Sequence, residues 1–162
     1  MIKKIVTIPN PILKQVSKNI DPAILGSKKI RQLAEDLVHT LYSSKDGIGL
    51  AAPQIGESLQ MCVIGKDAVK GKQADLVLIN PTWQKMSVFK TKDLEGCLSV
   101  PGIYGEVKRY KKIKVKTLDF EGKMVEFVAG DFLARVIQHE VDHLNGILFI
   151  EKAKNLQENH DL

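Results

Sequence analysis

The stretch QHEVDHLNG, residues 138–146, decides how this sequence folds and which groups its site contains. Within it, His139 and His143 are four positions apart, and Glu140 directly follows the first of them. Residues four apart lie on one face of a helix, with Cβ atoms about 5–6 Å from each other. The two imidazoles can therefore hold one metal ion. Glu140 then projects beside that ion, where its carboxylate can take a proton from a water molecule whose pKa the ion lowers.

Apolar residues surround these polar groups at helical spacing, which predicts a buried helix. We expect it to begin near Asp131, a candidate N-cap, and to end at Gly146, a candidate C′ glycine. Polar groups inside such a helix need partners, and Asp142 is a candidate acceptor for a histidine that binds the metal. The apolar side of the helix consists of Phe132, Leu133, Val136, Ile137, Val141 and Leu144.

A catalytic metal site needs a third protein ligand and an open position. The pattern H-E-x-x-H is typical of zinc peptidases, which take that ligand from further along the chain. Here Glu151 lies beyond the expected helix end, and the remaining candidates lie in a polar tail. Cys97 in LEGCLSVPG is the better candidate, because its neighbours lack strand alternation and a proline–glycine turn follows it. One thiolate and two imidazoles suit zinc or ferrous iron. The tail candidates are Glu158 and His160 with Asp161.

The composition is that of an ordinary globular protein. The 162 residues carry 44% apolar and 27% charged side chains and a net charge of +5, so we predict one domain, residues 1–162. No apolar run has membrane-spanning length, and Pro9 and Pro11 interrupt any signal-peptide pattern. We therefore expect a cytoplasmic protein whose cysteines stay reduced. Cys62 lies in an apolar strand pattern and is predicted to be core.

The remaining periodicity predicts mostly strands. Segment 27–44 has helical spacing with Ser27 as a candidate N-cap, whereas glycines and a proline exclude a continuous helix in 46–56. Lysines alternate with apolar residues in 111–119, which indicates an antiparallel sheet with one solvated face. Strands followed by one buried helix indicate an α+β domain. The predicted strands are 59–64, 75–80, 86–91, 111–119 and 123–128.

Three segments together resemble one family. GIGLAAPQ at 47–54, EGCLS at 95–99 and QHEVDHLNG at 138–146 are similar, in order and spacing, to the three motifs of peptide deformylases. The likeness extends over nearly the whole chain. It implies an α+β fold of antiparallel sheets packed around a central C-terminal helix that carries H-E-x-x-H. It also implies removal of the N-formyl group from the N-terminal formyl-methionine of newly made polypeptides, with release of formate.

The resemblance also implies roles for single residues. Cys97, His139 and His143 would bind the metal, and Glu140 would be the general base and later the proton donor to the departing amine. The side-chain amide of Gln54 and the backbone N–H of Leu98 would stabilise the oxyanion. An extended substrate would pair with backbone beside the metal. Its backbone contacts would be Gly49 and Gly96, and its methionine pocket would include Ile48, Phe132 and Val136.

For the metal, the resemblance implies Fe²⁺ as the native ion, with Zn²⁺, Ni²⁺ or Co²⁺ able to substitute. The expected partners are N-formylmethionyl nascent peptides, with transient proximity to the ribosome and with neither a membrane nor a specific nucleic acid. This sequence departs from many members at Tyr104, where they have arginine, which we expect to alter peptide recognition slightly. Because the sequence ends soon after Glu151, we also expect no long terminal helix like that of some members, and therefore no ribosome docking through such a helix.

Two other functions compete with this one. A zinc endopeptidase would share the helix but would need a downstream ligand, and it leaves EGCLS without a role. A non-enzymatic module would bind RNA or the ribosome through the basic segment KRYKKIKVK, residues 108–116. That segment has one aromatic residue, Tyr110, so stacking on bases has little support.

Overall fold

The computed structural model describes residues 1–69, 71 and 74–159, and the tail candidates His160 and Asp161 lie outside this part. Two α-helices and eight strands position the site. The helices are α1 (Lys28–Ser43) and α2 (Asp131–Leu144). The strands are β1 (Gly49–Ala51), β2 (Met61–Ile64), β3 (Leu76–Lys85), β4 (Lys90–Cys97), β5 (Val100–Tyr110), β6 (Lys112–Leu118), β7 (Met124–Gly130) and β8 (Lys154–Glu158).

The strands form two antiparallel sheets. The first has five strands in the order β1-β2-β3-β6-β7, and the second has three in the order β4-β5-β8. Helix α2 contacts strands of both sheets, and its apolar side lies in a core cluster together with side chains of β2, β3, β6 and β7. The predicted α+β class, with antiparallel sheets around a C-terminal helix, is therefore confirmed.

Helix α2 follows β7 without a connecting loop. For this reason Gly130, the last residue of the strand, is the N-cap, and the prediction of Asp131 in that position is wrong by one residue. The helix ends at Leu144, and Gly146 has φ +72°, as a C′ glycine should. A Cβ at position 146 would also lie 2.6 Å from the carbonyl oxygen of Lys14. Glycine is thus required there both by conformation and by space.

Helix α1 agrees with its prediction. The Ser27 hydroxyl accepts a hydrogen bond from the N–H of Ile30, 3.4 Å away, and the buried side of the helix packs on the opposite face of the first sheet. The basic strand also agrees, since Ile113, Val115 and Thr117 are buried between its lysines. Cys62 is fully buried in the core as predicted.

The strand predictions fail in the second sheet. Residues 86–89 connect β3 to β4 instead of forming a strand, and β5 was missed because Pro101 and Gly102, predicted as a turn, lie inside it. The turn is at Leu98 and Ser99. The first five residues of β4 are all exposed, so this strand has no apolar alternation for a sequence to display. The tail also contains β8, which pairs with β5.

None of the helices in the described part of the chain is both long and apolar enough to span a bilayer.

Candidate metal centre and active site

The polar groups of α2 face the end of β4. The ligand atoms of Cys97, His139 and His143 all lie within 4.8 Å of one another. The Cys97 sulfur is 3.2 Å from Nε2 of His143, and the two imidazole rings are edge to face with their centroids 5.0 Å apart. The third residue of this group is therefore upstream of the helix, where the sequence favoured Cys97.

The two imidazoles of this cluster have pKa values shifted in opposite directions. Burial would lower the pKa of His139, but hydrogen bonds to Cys97 and Glu95 raise it to about 10, so this imidazole must release a proton when it binds a metal ion. Burial lowers the pKa of His143 well below its usual value, which keeps that imidazole in the neutral form that binds metals. Among the described residues, the buried Nδ1 of His143 has no hydrogen-bond partner. One thiolate and two imidazoles are a suitable donor set for Zn²⁺ or Fe²⁺.

Glu140 lies beside this cluster and is buried. Burial raises the pKa of its carboxyl group to about 7, which suits a group that takes and returns a proton near neutral pH. Within the described residues its Oε2 has no partner. The carboxylate faces Gly49 on β1, where a Cβ would come within 2.6 Å of Oε1. Gly49 therefore provides the space that Glu140 occupies.

Gly49→Ala is expected to lower kcat by about 10- to 100-fold, because a displacement of about 1 Å at a reacting group can have an effect of this size. The added methyl group must push the Glu140 carboxylate aside. The measurement is kcat for the reaction that the three motifs imply, hydrolysis of a formyl peptide, together with the thermal midpoint. Gly26→Ala is the matched control, since its Cβ would meet nothing closer than 3.7 Å. An unchanged kcat in Gly49→Ala would show that this close contact does not constrain Glu140.

Gln54 is fixed by hydrogen bonds on both sides of its amide. Its Oε1 accepts from the N–H of Ala51 at 2.9 Å, and its Nε2 donates to the hydroxyl of Ser99 at 3.1 Å. Nε2 is also 3.6 Å from the Cys97 sulfur. The amide orientation therefore places an N–H donor beside the Cys97 sulfur, and Ser99 is a supporting residue that the sequence did not indicate. Leu98 lies beside it in the turn after β4.

A cleft of about 560 Å³ opens onto these groups. One wall comes from 46–49 and the other from 94–98, so the edge strands β1 and β4 of the two sheets face each other across it. Gly96 lies under the ring of Tyr104, and a Cβ there would be 2.6 Å from that ring. The predicted substrate residues all line the cleft, with Ile48 and Phe132 half-exposed and Val136 buried, next to Gly49 and Gly96.

A buried group of charges supports the cluster from behind. Nδ1 of His139 is 2.9 Å from Glu95 Oε2, and Arg109 binds both oxygens of the same carboxylate at 2.8 and 2.9 Å. Burial alone would raise the pKa of Glu95, but these hydrogen bonds hold it well below its usual value. Arg135 donates to Glu95 as well, at 2.7 Å. Glu95 is therefore the acceptor that orients His139.

The prediction of Asp142 as that acceptor is wrong. Its carboxylate binds Arg109 at 2.5 Å and Lys152 at 2.7 Å. The sequence did not indicate roles for Glu95, Arg109 or Arg135. The only signal was the position of Glu95 inside EGCLS, two residues before Cys97.

Arg109→Met is expected to lower the free energy of unfolding by about 3–5 kcal/mol, because removing one member of a buried ion pair leaves unpaired charge. The Arg109 side chain is only 2% exposed, and its positive charge pairs with the carboxylates of both Glu95 and Asp142. The measurement is urea unfolding with all proteins in the same metal state. Arg31→Met is the control, since Arg31 makes a solvent-exposed pair with Glu121 at 3.4 Å that is worth about 0–1 kcal/mol. Equal losses in the two variants would contradict this account of the buried charges.

The downstream ligand candidates are engaged elsewhere or lie outside the described residues. Glu151 accepts from the N–H of Leu148 at 2.7 Å and pairs with Lys14 at 2.5 Å. Glu158 is the last residue of β8. Among the described residues, the group of possible metal ligands consists of Cys97, His139 and His143.

Comparison with known proteins gives a consistent result. The profile of the polypeptide deformylase family matches residues 2–159. The peptide deformylase of Carboxydothermus hydrogenoformans is 46% identical over 155 residues, which are 96% of this chain and 95% of that protein. A class I type b peptide deformylase from Acinetobacter baumannii with bound Met-Ala-Ser superposes with a TM-score of 0.86 at 36% identity, covering 93% and 99% of the two chains. The Thermotoga maritima peptide deformylase has a TM-score of 0.85 at 34% identity, covering 95% and 99%.

Proposed function

Because this chain belongs to the peptide deformylase family, we propose that Cys97, His139 and His143 hold the metal ion of its active site. The protein is a metal-dependent hydrolase that removes the formyl group from N-formylmethionyl peptides. The observation that carries the proposal is the convergence of one thiolate and two imidazoles within 4.8 Å. When bound, the ion would polarise the formyl carbonyl and lower the pKa of a water molecule.

Glu140 acts as the general base and then as the general acid. It takes a proton from the water that attacks the formyl carbon, and it gives that proton to the nitrogen as the C–N bond breaks, so that a neutral amine leaves. Its carboxylate is buried beside the ligand cluster, with a pKa raised to about 7, so it can work in both directions near neutral pH. The products are formate and a peptide with a free methionine amine.

Gln54 and Leu98 stabilise the oxyanion that forms when water attacks. The Gln54 amide is held by Ala51 and Ser99, so its N–H requires no reorganisation during the reaction. The backbone N–H of Leu98 is the second donor, in the turn that directly follows Cys97. Both donors are neutral and cannot lose a proton to the oxyanion.

The substrate binds as an extended strand between β1 and β4. Gly49 and Gly96 lie on these facing edges, where an added strand can pair with backbone groups. The methionine side chain enters the part of the cleft lined by Ile48, Phe132 and Val136. The relative with bound Met-Ala-Ser supports this assignment, because that tripeptide has the form of a deformylated product.

Fe²⁺ is the native ion in this proposal, and Zn²⁺, Ni²⁺ and Co²⁺ can replace it. Protein purified without oxygen and loaded with each ion is expected to release formate from a formyl-Met peptide, and the iron form should lose activity in air because a thiolate-bound ferrous site is oxidisable. Formate release and metal content are measured before and after exposure to air. The nickel form, kept in air for the same time, is the control. An iron form as stable in air as the nickel form would count against iron at an exposed thiolate site.

We assign the activity to residues 1–162 as one catalytic domain that acts in the cytoplasm on nascent chains, in transient proximity to the ribosome. The family profile supports this extent, since it matches residues 2–159. The zinc endopeptidase alternative has no downstream ligand at the cluster among the described residues.

A further inference from the structure

The active site does not account for the positive charge of the basic segment, residues 108–116. Its Arg109 is buried against Glu95, and Lys114 and Lys116 both pair with Glu126. Of the three remaining lysines, Lys111 and Lys112 lie at the junction of β5 and β6, and Lys108 lies within β5 opposite Lys92. Two of the three are therefore at one end of the strand.

A protruding loop lies against this end. Residues 86–89 connect β3 to β4, while Lys111 alone connects their partner strands β5 and β6. The N–H of Met86 donates to the carbonyl of Lys112 at 2.9 Å, and the N–H of Lys111 donates to the carbonyl of Phe89 at 3.0 Å. Between the pairs Lys85–Ile113 and Lys90–Tyr110, four residues thus lie opposite two, so the 86–89 loop must bulge outwards. The Ser87 hydroxyl accepts from the N–H of Phe89 at 3.1 Å, which holds the bulge in shape.

The tip of the 86–89 loop is apolar and exposed. Val88 is 77% exposed, Phe89 71% and Met86 49%. Single exposed apolar residues are common, but adjacent ones that project from a surface indicate a site that contacts another molecule or a membrane. Transfer of these side chains from water to an apolar environment would therefore lower the free energy.

Three of the four lysines beside this tip have no carboxylate partner among the described residues. The ammonium groups of Lys85 and Lys90 are 5.7 and 4.5 Å from the centroid of the Tyr110 ring, so two positive charges share one aromatic residue. Among the described residues, no carboxylate lies within 4.0 Å of Lys85, Lys90 or Lys112, and Lys111 is 3.9 Å from the exposed Asp131. This arrangement suits a surface that carries many negative charges.

We propose that the 86–89 loop and the lysines around it dock this protein on an anionic lipid surface. The lysines would bind the headgroups, while Val88 and Phe89 would enter the boundary between the headgroups and the acyl chains. RNA offers phosphates to the lysines and a stacking partner to Phe89, but it gives no comparable environment to Val88 and Met86, which cannot stack on bases. The apolar tip therefore favours lipid over RNA. Docking of this kind requires no helix that crosses the membrane.

The 86–89 loop lies close to the active-site cleft. The N–H of Asp131 donates to the carbonyl of Lys111 at 2.8 Å, and the next residue, Phe132, lines the cleft. The lipid-facing surface and the cleft thus adjoin at the start of α2. A docked molecule would hold its cleft beside the membrane surface, within reach of chains that emerge there.

Vesicle sedimentation tests the proposal with the full chain. We expect binding to vesicles of phosphatidylcholine and phosphatidylglycerol at low salt and little binding to phosphatidylcholine alone. The double variant Val88→Ser/Phe89→Ser should bind at least about tenfold more weakly, and Lys85→Gln/Lys90→Gln about thirtyfold more weakly. Lys116→Gln is the matched control and should bind normally, since Lys116 pairs with Glu126. Turnover of a soluble formyl peptide should be unchanged in all variants, which checks that they fold.

Three results would overturn the proposal. The first is no preference for anionic vesicles at low salt. The second is anionic binding that Lys85→Gln/Lys90→Gln weakens but Val88→Ser/Phe89→Ser does not, since the tip would then not enter the lipid. The third is lysine-dependent binding of a poly(U) oligonucleotide without vesicle binding, which would identify RNA as the partner.

Discussion

The Cys97→Ala variant is expected to lose its metal and its activity together. The thiolate is one of three ligand groups within 4.8 Å, and the two remaining imidazoles hold a divalent ion much more weakly. We expect metal affinity to fall by more than about 100-fold, since changes to residues that only support a ligand already cost about 10- to 100-fold. The measurements are metal content after dialysis and the rate of formate release.

The second cysteine provides the control for this experiment. Cys62 is fully buried in the core between the first sheet and α2 and does not belong to the ligand group. Cys62→Ala should therefore keep its metal and its turnover, with a loss of stability of about 1 kcal/mol. Stoichiometric metal in Cys97→Ala after dialysis would contradict the ligand assignment.

The Glu140→Gln variant is expected to keep its metal and to lose about 10²- to 10⁴-fold in kcat, the usual contribution of general acid–base catalysis. The amide has nearly the shape of the carboxylate but cannot take a proton from water. KM should change little, because the cleft residues are unaffected. The measurements are metal content and formate release at saturating peptide concentration.

Glu151→Gln is the matched control for that variant. Glu151 also lies close after α2, but it caps Leu148 and pairs with Lys14, so its loss should leave kcat within about twofold, as for most substitutions away from special sites. A kcat of Glu140→Gln close to that of the parent protein would exclude Glu140 as the general base.

The sequence predicted the centre of the site because its spacing is local. His139, Glu140 and His143 follow one another on a helix, and helical geometry alone brings two of them to one face. The position of Cys97 is harder to predict, because the packing of the sheets sets its distance from the helix. Its choice depended on elimination of the downstream residues and then on the resemblance of three motifs.

The support of the site could not be predicted in the same way. Asp142 is three residues from His139, so it was a reasonable candidate for the acceptor, but its side chain points to Arg109 and Lys152. Glu95 takes the role because the fold brings the end of β4 to the side chain of His139, a contact that no periodicity predicts. Arg109 comes from β5 and Arg135 from α2, and both donate to that carboxylate.

Strand prediction failed where burial was absent or where proline and glycine indicated a turn. Strand β6 alternates lysines with buried residues and was found, whereas the exposed first half of β4 carries KTKDL and shows no pattern. Pro101 and Gly102 lie at the start of β5, where proline is tolerated at the beginning of a strand.

The most direct test of the account is formate release from formyl-Met-Ala-Ser by anaerobically purified protein, measured beside its metal content and beside Glu140→Gln. We expect one formate and one free methionine amine for each peptide consumed, one metal ion per chain, and nearly no turnover by the metal-loaded variant. No formate from iron-, zinc- or nickel-loaded protein, or equal rates in the parent and in Glu140→Gln, would contradict it.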